Sequence, residues 1–229
     1  MEPLIFLLII AFVAFAIGAA IHSHKKEKER TAALAAWARS KGMGFSAGKL
    51  RDFDDYHPRL KCLRNGSNRY AYNIASGQWG AFYTTAFDYH YETHSTDSKG
   101  NRQTHHHYFS AVLLKPEHEM RPLMIRREGF FDKLKAGFGF NDIDFESAEF
   151  SKRFYVTAQD KRWAYDVIHT RTMEMLMEIN SPHSIECDHE VMCVVSKKRL
   201  DIPGFEDAYH FGAGILDGIP DYAREKLSL

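Results

Sequence analysis

The sequence FDYHYE, residues 87–92, alternates aromatic with polar side chains, and HHHYFSAVLL, residues 105–114, follows it after a short polar segment. Alternation with a period of two is typical of a β-strand that has one face in a core. Between the two stretches, Lys99-Gly100-Asn101 has the composition of a turn. We therefore predict one long antiparallel hairpin as the centre of the fold.

Other stretches predict strands and helices around this hairpin. Asn65-Gly66 indicates a tight turn between strands at Leu60–Arg64 and Arg69–Ala75. Asp160 is a good N-cap for an amphipathic helix, and a second helical pattern runs from Phe205 to Leu216. The predicted fold class is α+β, with a mainly antiparallel sheet flanked by helices.

The N-terminal part carries the longest apolar run. No residue from Pro3 to Ile21 is charged, and a helix of that length extends about 28 Å, which spans bilayer hydrocarbon. We predict a single-pass transmembrane anchor at 1–24, a juxtamembrane helix and linker at 25–44, and a soluble α+β domain at 45–229. A cleaved signal peptide is the alternative, but Met1-Glu2 lacks the basic residues that such a peptide carries.

The charges beside the apolar run predict its orientation. Four basic residues follow it closely: Lys25, Lys26, Lys28 and Arg30. Basic flanks stay on the cytoplasmic side of a membrane. We therefore expect an inner-membrane protein whose soluble domain is cytoplasmic.

The three cysteines bear on that orientation. They are compatible with a reducing compartment. If the chain turns at 189–191, however, Cys187 and Cys193 would face each other across a hairpin, close enough for a disulfide. Two free thiols, packed as small apolar side chains, are the interpretation we prefer. A bridge would contradict the cytoplasmic orientation.

Composition and motifs exclude several classes of function. Thirty basic residues balance thirty acidic ones, so the strongly basic surface of a nucleic-acid-binding protein is not indicated. The sequence contains no G-x-S-x-G elbow, no P-loop and no dinucleotide fingerprint. An enzyme is therefore not the favoured interpretation.

The long hairpin is rich in histidine. With its turn at Lys99-Gly100, His94 would face His105 and Glu92 would face His107, and His106 would point to the aromatic side. Imidazole and carboxylate groups bind divalent transition metals such as zinc, nickel or copper. The predicted ligands are His90, Glu92, His94, His105 and His107. The alternative is a solvated polar strand face without a metal.

Several segments resemble those of a family of bacterial membrane-anchored proteins of unknown function. The segments are RREGFFDKL at 126–134, DIDFESAEF at 142–150, FYV at 154–156, WAYDVI at 163–168 and MEML at 173–176. The resemblance covers most of the chain and implies a bacterial membrane protein. It supplies no catalytic residues.

Three functions are compatible with these features. The favoured one is a non-catalytic, membrane-tethered domain that binds a protein partner. The second is a metal-binding or metal-dependent protein that uses the histidine-rich hairpin, and the third is a lipid or peptide binder. Ala14 and Gly18, four residues apart in the apolar run, would permit a homo-oligomer of close-packed anchors.

Overall fold

The computed structural model describes residues 2–127, 143, 145–178 and 183–225, with the backbone alone at 2–7, 9 and 225. The helices are α1 (Glu2–Ser40), α2 (Ala148–Arg153), α3 (Lys161–Val167), α4 (Thr170–Glu178), α5 (Ile202–Gly218) and α6 (Asp221–Glu225). The strands are β1 (Gly44–Ser46), β2 (Ser67–Trp79), β3 (Phe82–Thr96), β4 (Arg102–Lys115), β5 (Leu123–Arg127), β6 (Phe154–Ala158), β7 (Ser184–Cys187) and β8 (Met192–Val195).

The eight strands form one sheet in the order β1-β2-β3-β4-β8-β7-β5-β6. Every neighbouring pair in this sheet is antiparallel. The α+β class and the mainly antiparallel sheet are therefore confirmed. The strands β3 and β4 form its longest hairpin, as their alternating sequence predicts.

Helix α5 covers one face of the sheet. Asp201 caps it by accepting a hydrogen bond from the backbone N–H of Gly204. At Gly212 the helix approaches β4 and β8 so closely that an added Cβ would lie 2.5 Å from Leu114 and 2.7 Å from Val194. The larger apolar core lies between this helix and the sheet.

A second, smaller apolar core covers part of the opposite face. Phe87 and Tyr89 of β3 contribute to it from the sheet. The segment between β1 and β2 contributes Phe53, Leu60 and Leu63 from two short 3₁₀ helices. The residues predicted as a strand at Leu60–Arg64 are thus partly helical, because their apolar side chains fill this core. Strand β2 pairs with β1 and β3 instead, and the tight turn that joins β2 to β3 contains Gly80.

Helix α1 has two unlike halves. Near its C-terminal end, Trp37 is buried and stacks on Phe205 of α5, with ring centroids 5.6 Å apart. From Leu8 to Lys26, every side chain that the structure describes is exposed. Although α1 is one continuous helix, only its second half packs into the core.

The predicted transmembrane anchor is not shown by the structure. Among the residues described, no helix is both long enough and apolar enough to cross a membrane. Part of the predicted span, residues 3–7 and 9, lies outside the residues with described side chains.

The three cysteines are buried free thiols, as we preferred. The predicted opposition of Cys187 and Cys193 is wrong, because Cys187 lies opposite Met192 and Glu186 lies opposite Cys193. This register places Cys187 and Cys193 on opposite faces of the sheet. Cys193 instead lies 3.8 Å from Cys62, sulfur to sulfur.

Candidate functional site on the β3–β4 hairpin

The register of the β3–β4 hairpin differs from the predicted one by one residue. Glu92 lies opposite His106 and Thr93 lies opposite His105, so the predicted pairing of Glu92 with His107 is wrong. The loop between the strands spans residues 97–101, and the Asp97 carboxylate accepts hydrogen bonds from the backbone N–H groups of Lys99 and Asn101. These bonds close the loop in the register observed.

A shift of one residue exchanges the two faces of a strand. His90, Glu92 and His106 consequently share the face of the sheet on which α1 lies. His105 and His107 lie on the other face, where their Nε2 atoms are 2.8 Å from the hydroxyls of Ser95 and Thr93. The structure thus separates the five predicted ligands and adds His106, which we had assigned to the aromatic side.

His90, Glu92 and His106 form a compact cluster, which we call the tip cluster. Nε2 of His90 lies 3.1 Å from Nδ1 of His106, and the same Nδ1 lies 3.4 Å from Oε1 of Glu92. All three ligand atoms lie within 4.8 Å of one another. His90 is only 2% exposed, whereas the His106 side chain is 53% exposed. The cluster is therefore anchored in the protein on one side and open to solvent on the other.

Asn68 orients two members of the tip cluster. Its carbonyl oxygen lies 3.1 Å from Nδ1 of His90, so Nδ1 carries the hydrogen and Nε2 acts as an acceptor towards Nδ1 of His106. Its side-chain amide donates a 2.6 Å hydrogen bond to Oε1 of Glu92. Asn68 reaches both groups from a left-handed backbone conformation, φ +48°, where the β2–β3 pairing is irregular.

Burial and hydrogen bonding shift the pKa values in this cluster. Burial lowers the pKa of His90, which favours the neutral imidazole, and the Asn68 carbonyl opposes that shift. The hydrogen bond from Asn68 lowers the pKa of Glu92, and the nearby imidazoles act in the same direction. A neutral imidazole and an ionised carboxylate are the forms that bind metals.

His94 is also on the α1 side of β3, but both of its ring nitrogens have partners. Nε2 lies 3.2 Å from the hydroxyl of Ser67, and Nδ1 lies 3.2 Å from the hydroxyl of Thr104. The structure therefore places this predicted ligand beside the tip cluster and not within it.

A second polar cluster, the base cluster, lies on the same strand face nearer the core. Asp88 is fully buried, and its oxygens accept hydrogen bonds from Arg30 of α1 at 2.8 and 3.1 Å. Asn73 and Ser110 donate further hydrogen bonds to it, at 3.0 and 2.6 Å. This pairing between residues 30 and 88 attaches α1 to the sheet, and no local sequence pattern indicates it.

A cavity of about 350 Å³ lies on this face beside the two clusters. Its walls include Ser23 of α1 and three tyrosines, Tyr70, Tyr72 and Tyr108. The rings of Tyr70 and Tyr108 also flank His90, with centroids 4.5 and 4.8 Å away. Burial, together with the charge of Asp88, raises the pKa of Tyr72 to about 12. Its phenol therefore stays neutral at physiological pH.

Comparison with known proteins gives a fold likeness. No model of a known protein family matches the chain, and no curated protein matches it. The resemblance to a family of unknown function thus stays a prediction. Among solved structures, the chain is similar to the mycobacterial trehalose monomycolate transport factor A, TtfA, with a TM-score of 0.54 and 11% sequence identity. The match covers 83% of this chain and 96% of that one, and at this identity it shows a shared fold.

Proposed function

We propose that the chain is a non-catalytic accessory domain, held at a membrane by residues 3–21, that binds a protein partner on the cytoplasmic side. One observation carries the proposal: α1 presents large apolar side chains to solvent along its first half. Leu8 is 63% exposed and Phe15 is 77% exposed. An apolar surface of this extent needs a cover, and bilayer hydrocarbon suits an uncharged helix.

The attachment of α1 to the sheet supports a tethering role. Arg30 joins the helix to Asp88, and Glu27 pairs with Arg199 through two contacts of 2.7 Å. These ion pairs begin six residues after Ile21, where the apolar run ends. A helix fixed in this way would hold the domain close to the bilayer in one orientation, whereas a flexible linker would not.

A fold analogy guides the choice of partner. The similar solved structure is described as a transport factor. By analogy alone, we propose that this chain and its protein partner take part in transport. The absence of nucleophile-elbow, P-loop and dinucleotide motifs from the sequence supports an accessory role.

Membrane attachment is tested by extracting native membranes with alkaline carbonate. The full chain should remain in the membrane pellet. Phe12→Arg should release it, because an arginine at the centre of a span costs about 3 kcal/mol on the insertion scale. The matched control is Ala33→Arg, at an exposed position of the second half of α1. Release of the unaltered chain, or equal release of both variants, would contradict the proposal.

Orientation is tested with a thiol reagent that cannot cross membranes. The three native cysteines are buried, so Ser98→Cys in the exposed hairpin loop supplies a single reactive thiol. On the proposed orientation it reacts only after the cells are lysed. Reaction in intact spheroplasts would place the domain on the other side.

The partner is tested by cross-linking the full chain in its native membranes and purifying it in mild detergent. We expect one protein partner to be recovered reproducibly, and its amount should fall with Phe12→Arg but not with Ala33→Arg. Recovery of the monomer alone would contradict the proposal that the chain binds a partner. Recovery of a second copy of this chain alone would show that the chain forms a homo-oligomer and does not bind a different protein.

A further inference from the structure

We propose that the tip cluster is a zinc site, in which His90, Glu92 and His106 are three ligands and the fourth position is open. This proposal is independent of membrane attachment and of any partner. The spacing of the ligand atoms supports it. Bonds of 2.0–2.1 Å in a tetrahedral site place neighbouring ligand atoms about 3.3 Å apart. The observed separations of 3.1 Å, between His90 and His106, and 3.4 Å, between His106 and Glu92, are close to this value.

The chemistry of the three ligands favours zinc over magnesium or calcium. Two imidazole nitrogens and one carboxylate oxygen form a common protein zinc set with an open position, whereas the two hard cations require oxygen ligands. Nickel and copper also bind imidazole, so they are expected to compete in vitro.

The residues around the ligands support the same assignment. Metal-binding imidazoles usually donate their second ring N–H to a carbonyl or carboxylate oxygen. His90 does this through Nδ1 and the carbonyl of Asn68, which directs Nε2 towards the other two ligands. The Tyr70 ring stacks on His90 at 4.5 Å and restricts rotation of the imidazole. Asn68 also holds Glu92 through its side-chain amide.

Exposure of the cluster gives the ion a route from solvent. The His106 side chain is about half exposed, so solvent reaches the tip cluster from this side. The Asn68 carbonyl fixes the hydrogen of His90 on Nδ1, so the contact between Nε2 of His90 and Nδ1 of His106 requires a hydrogen on Nδ1 of His106. To coordinate zinc through Nδ1, the exposed His106 ring would take the other neutral tautomer, in which solvent has returned the hydrogen to Nε2.

The test uses the untagged full chain in mild detergent, stripped with a chelator and then titrated with zinc against a chromophoric indicator. One equivalent should bind, and cobalt in its place should give the visible absorption of a four-coordinate ion. His106→Ala should abolish one-equivalent binding. His105→Ala is the matched control, because it removes the same side chain from the adjacent position on the opposite face, and it should bind as the unaltered chain does.

A further variant tests the role of Asn68 as a positioning residue. Asn68→Gly tolerates the positive φ and keeps the carbonyl that accepts from His90, but it removes the amide that holds Glu92. Zinc affinity should fall about 10- to 100-fold, the usual loss for an outer-shell partner, while the one-to-one ratio is kept. Equal losses in His105→Ala and His106→Ala, or well under one equivalent in the unaltered chain, would overturn the proposal.

Discussion

The base cluster and the tip cluster lie on the same face of β3, but each stabilises its carboxylate in a different way. At the base, Asp88 is fully buried, and Arg30 of α1 supplies the opposite charge. At the tip, Glu92 lies nearer the surface beside two imidazoles, one buried and one exposed. The strand alternation puts residues 88, 90 and 92 on one side, but their surroundings change over the distance of about 13 Å that four strand residues span.

This difference in surroundings distinguishes a structural ion pair, at the base, from a candidate binding site, at the tip. A buried carboxylate is tolerated when the chain provides a fixed cation and further hydrogen bonds, as Arg30, Asn73 and Ser110 do for Asp88. The neutral His90 beside Glu92 provides lone pairs and no fixed charge. The base cluster is therefore complete within the protein, whereas the tip cluster has the composition of a site that accepts a cation.

The largest effect is expected at the base. Arg30→Met leaves Asp88 buried without its cation, and should lower the free energy of unfolding by about 3–5 kcal/mol. The control is Lys25→Met, which breaks the exposed pair with Glu29 and should cost no more than about 0.5 kcal/mol. Urea unfolding of the full chain in mild detergent measures both. If both variants lose the same free energy of unfolding, the Arg30–Asp88 pair is no more important to the fold than a surface ion pair.

Acid should lower the stability of the fold at the tip cluster through His90. The folded pKa of His90 is lowered by burial, so the unfolded chain binds a proton more readily. The contribution of this neutral imidazole is fully present above the unfolded pKa of about 6.5, and it is lost as pH falls through the folded pKa. Replacement by glutamine, His90→Gln, should therefore flatten the decline of stability below that pH.

This pH experiment is made on metal-free protein, with unfolding free energies measured from pH 7.5 to 5. Burial also lowers the pKa values of His57 and His183, so part of the acid slope should persist in His90→Gln. An unchanged slope would mean that His90 is not held neutral by the fold.

The smallest effect is expected for Glu92→Gln. The carboxylate lies near the surface, where solvent screens its contacts with Asn68 and His106, so the loss of stability without metal should be the smallest of the series. The same substitution should greatly weaken zinc binding. A loss of stability in metal-free protein as large as that of Arg30→Met would show that the tip cluster is structural, like the base cluster.

Periodicity predicts the fold class and the central hairpin, because aromatic and polar side chains alternate at residues 87–92. It does not predict that both faces are covered: Asp88 and His90 are as buried as Phe87 and Tyr89. It does not fix the register, since a loop of one more or one fewer residue is equally compatible with that alternation. Asp97 and Asn101, at the two ends of the loop, were the available signal, because Asp and Asn side chains close turns onto backbone N–H groups.

The remaining parts of the site depend on contacts that are distant in sequence. Arg30 and Asp88 are 58 positions apart, and Asn68 reaches His90 from another strand through an irregular backbone. The segment at Leu60–Arg64 was predicted as a strand from its composition, but tertiary packing made it part of the smaller core. Local patterns do not contain this information.

The register of the β3–β4 hairpin decides which histidines share a face with Glu92, so it is the central claim. Cysteines at directly opposite positions of an antiparallel pair have Cβ atoms about 5 Å apart and cross-link under mild oxidation. The double variant Glu92→Cys with His106→Cys should form an intramolecular disulfide, seen as a mobility shift on a non-reducing gel, while Glu92→Cys with His107→Cys should stay reduced. The opposite result would place His107 directly opposite Glu92. His106 would then lie on the other face, and the tip cluster would not exist.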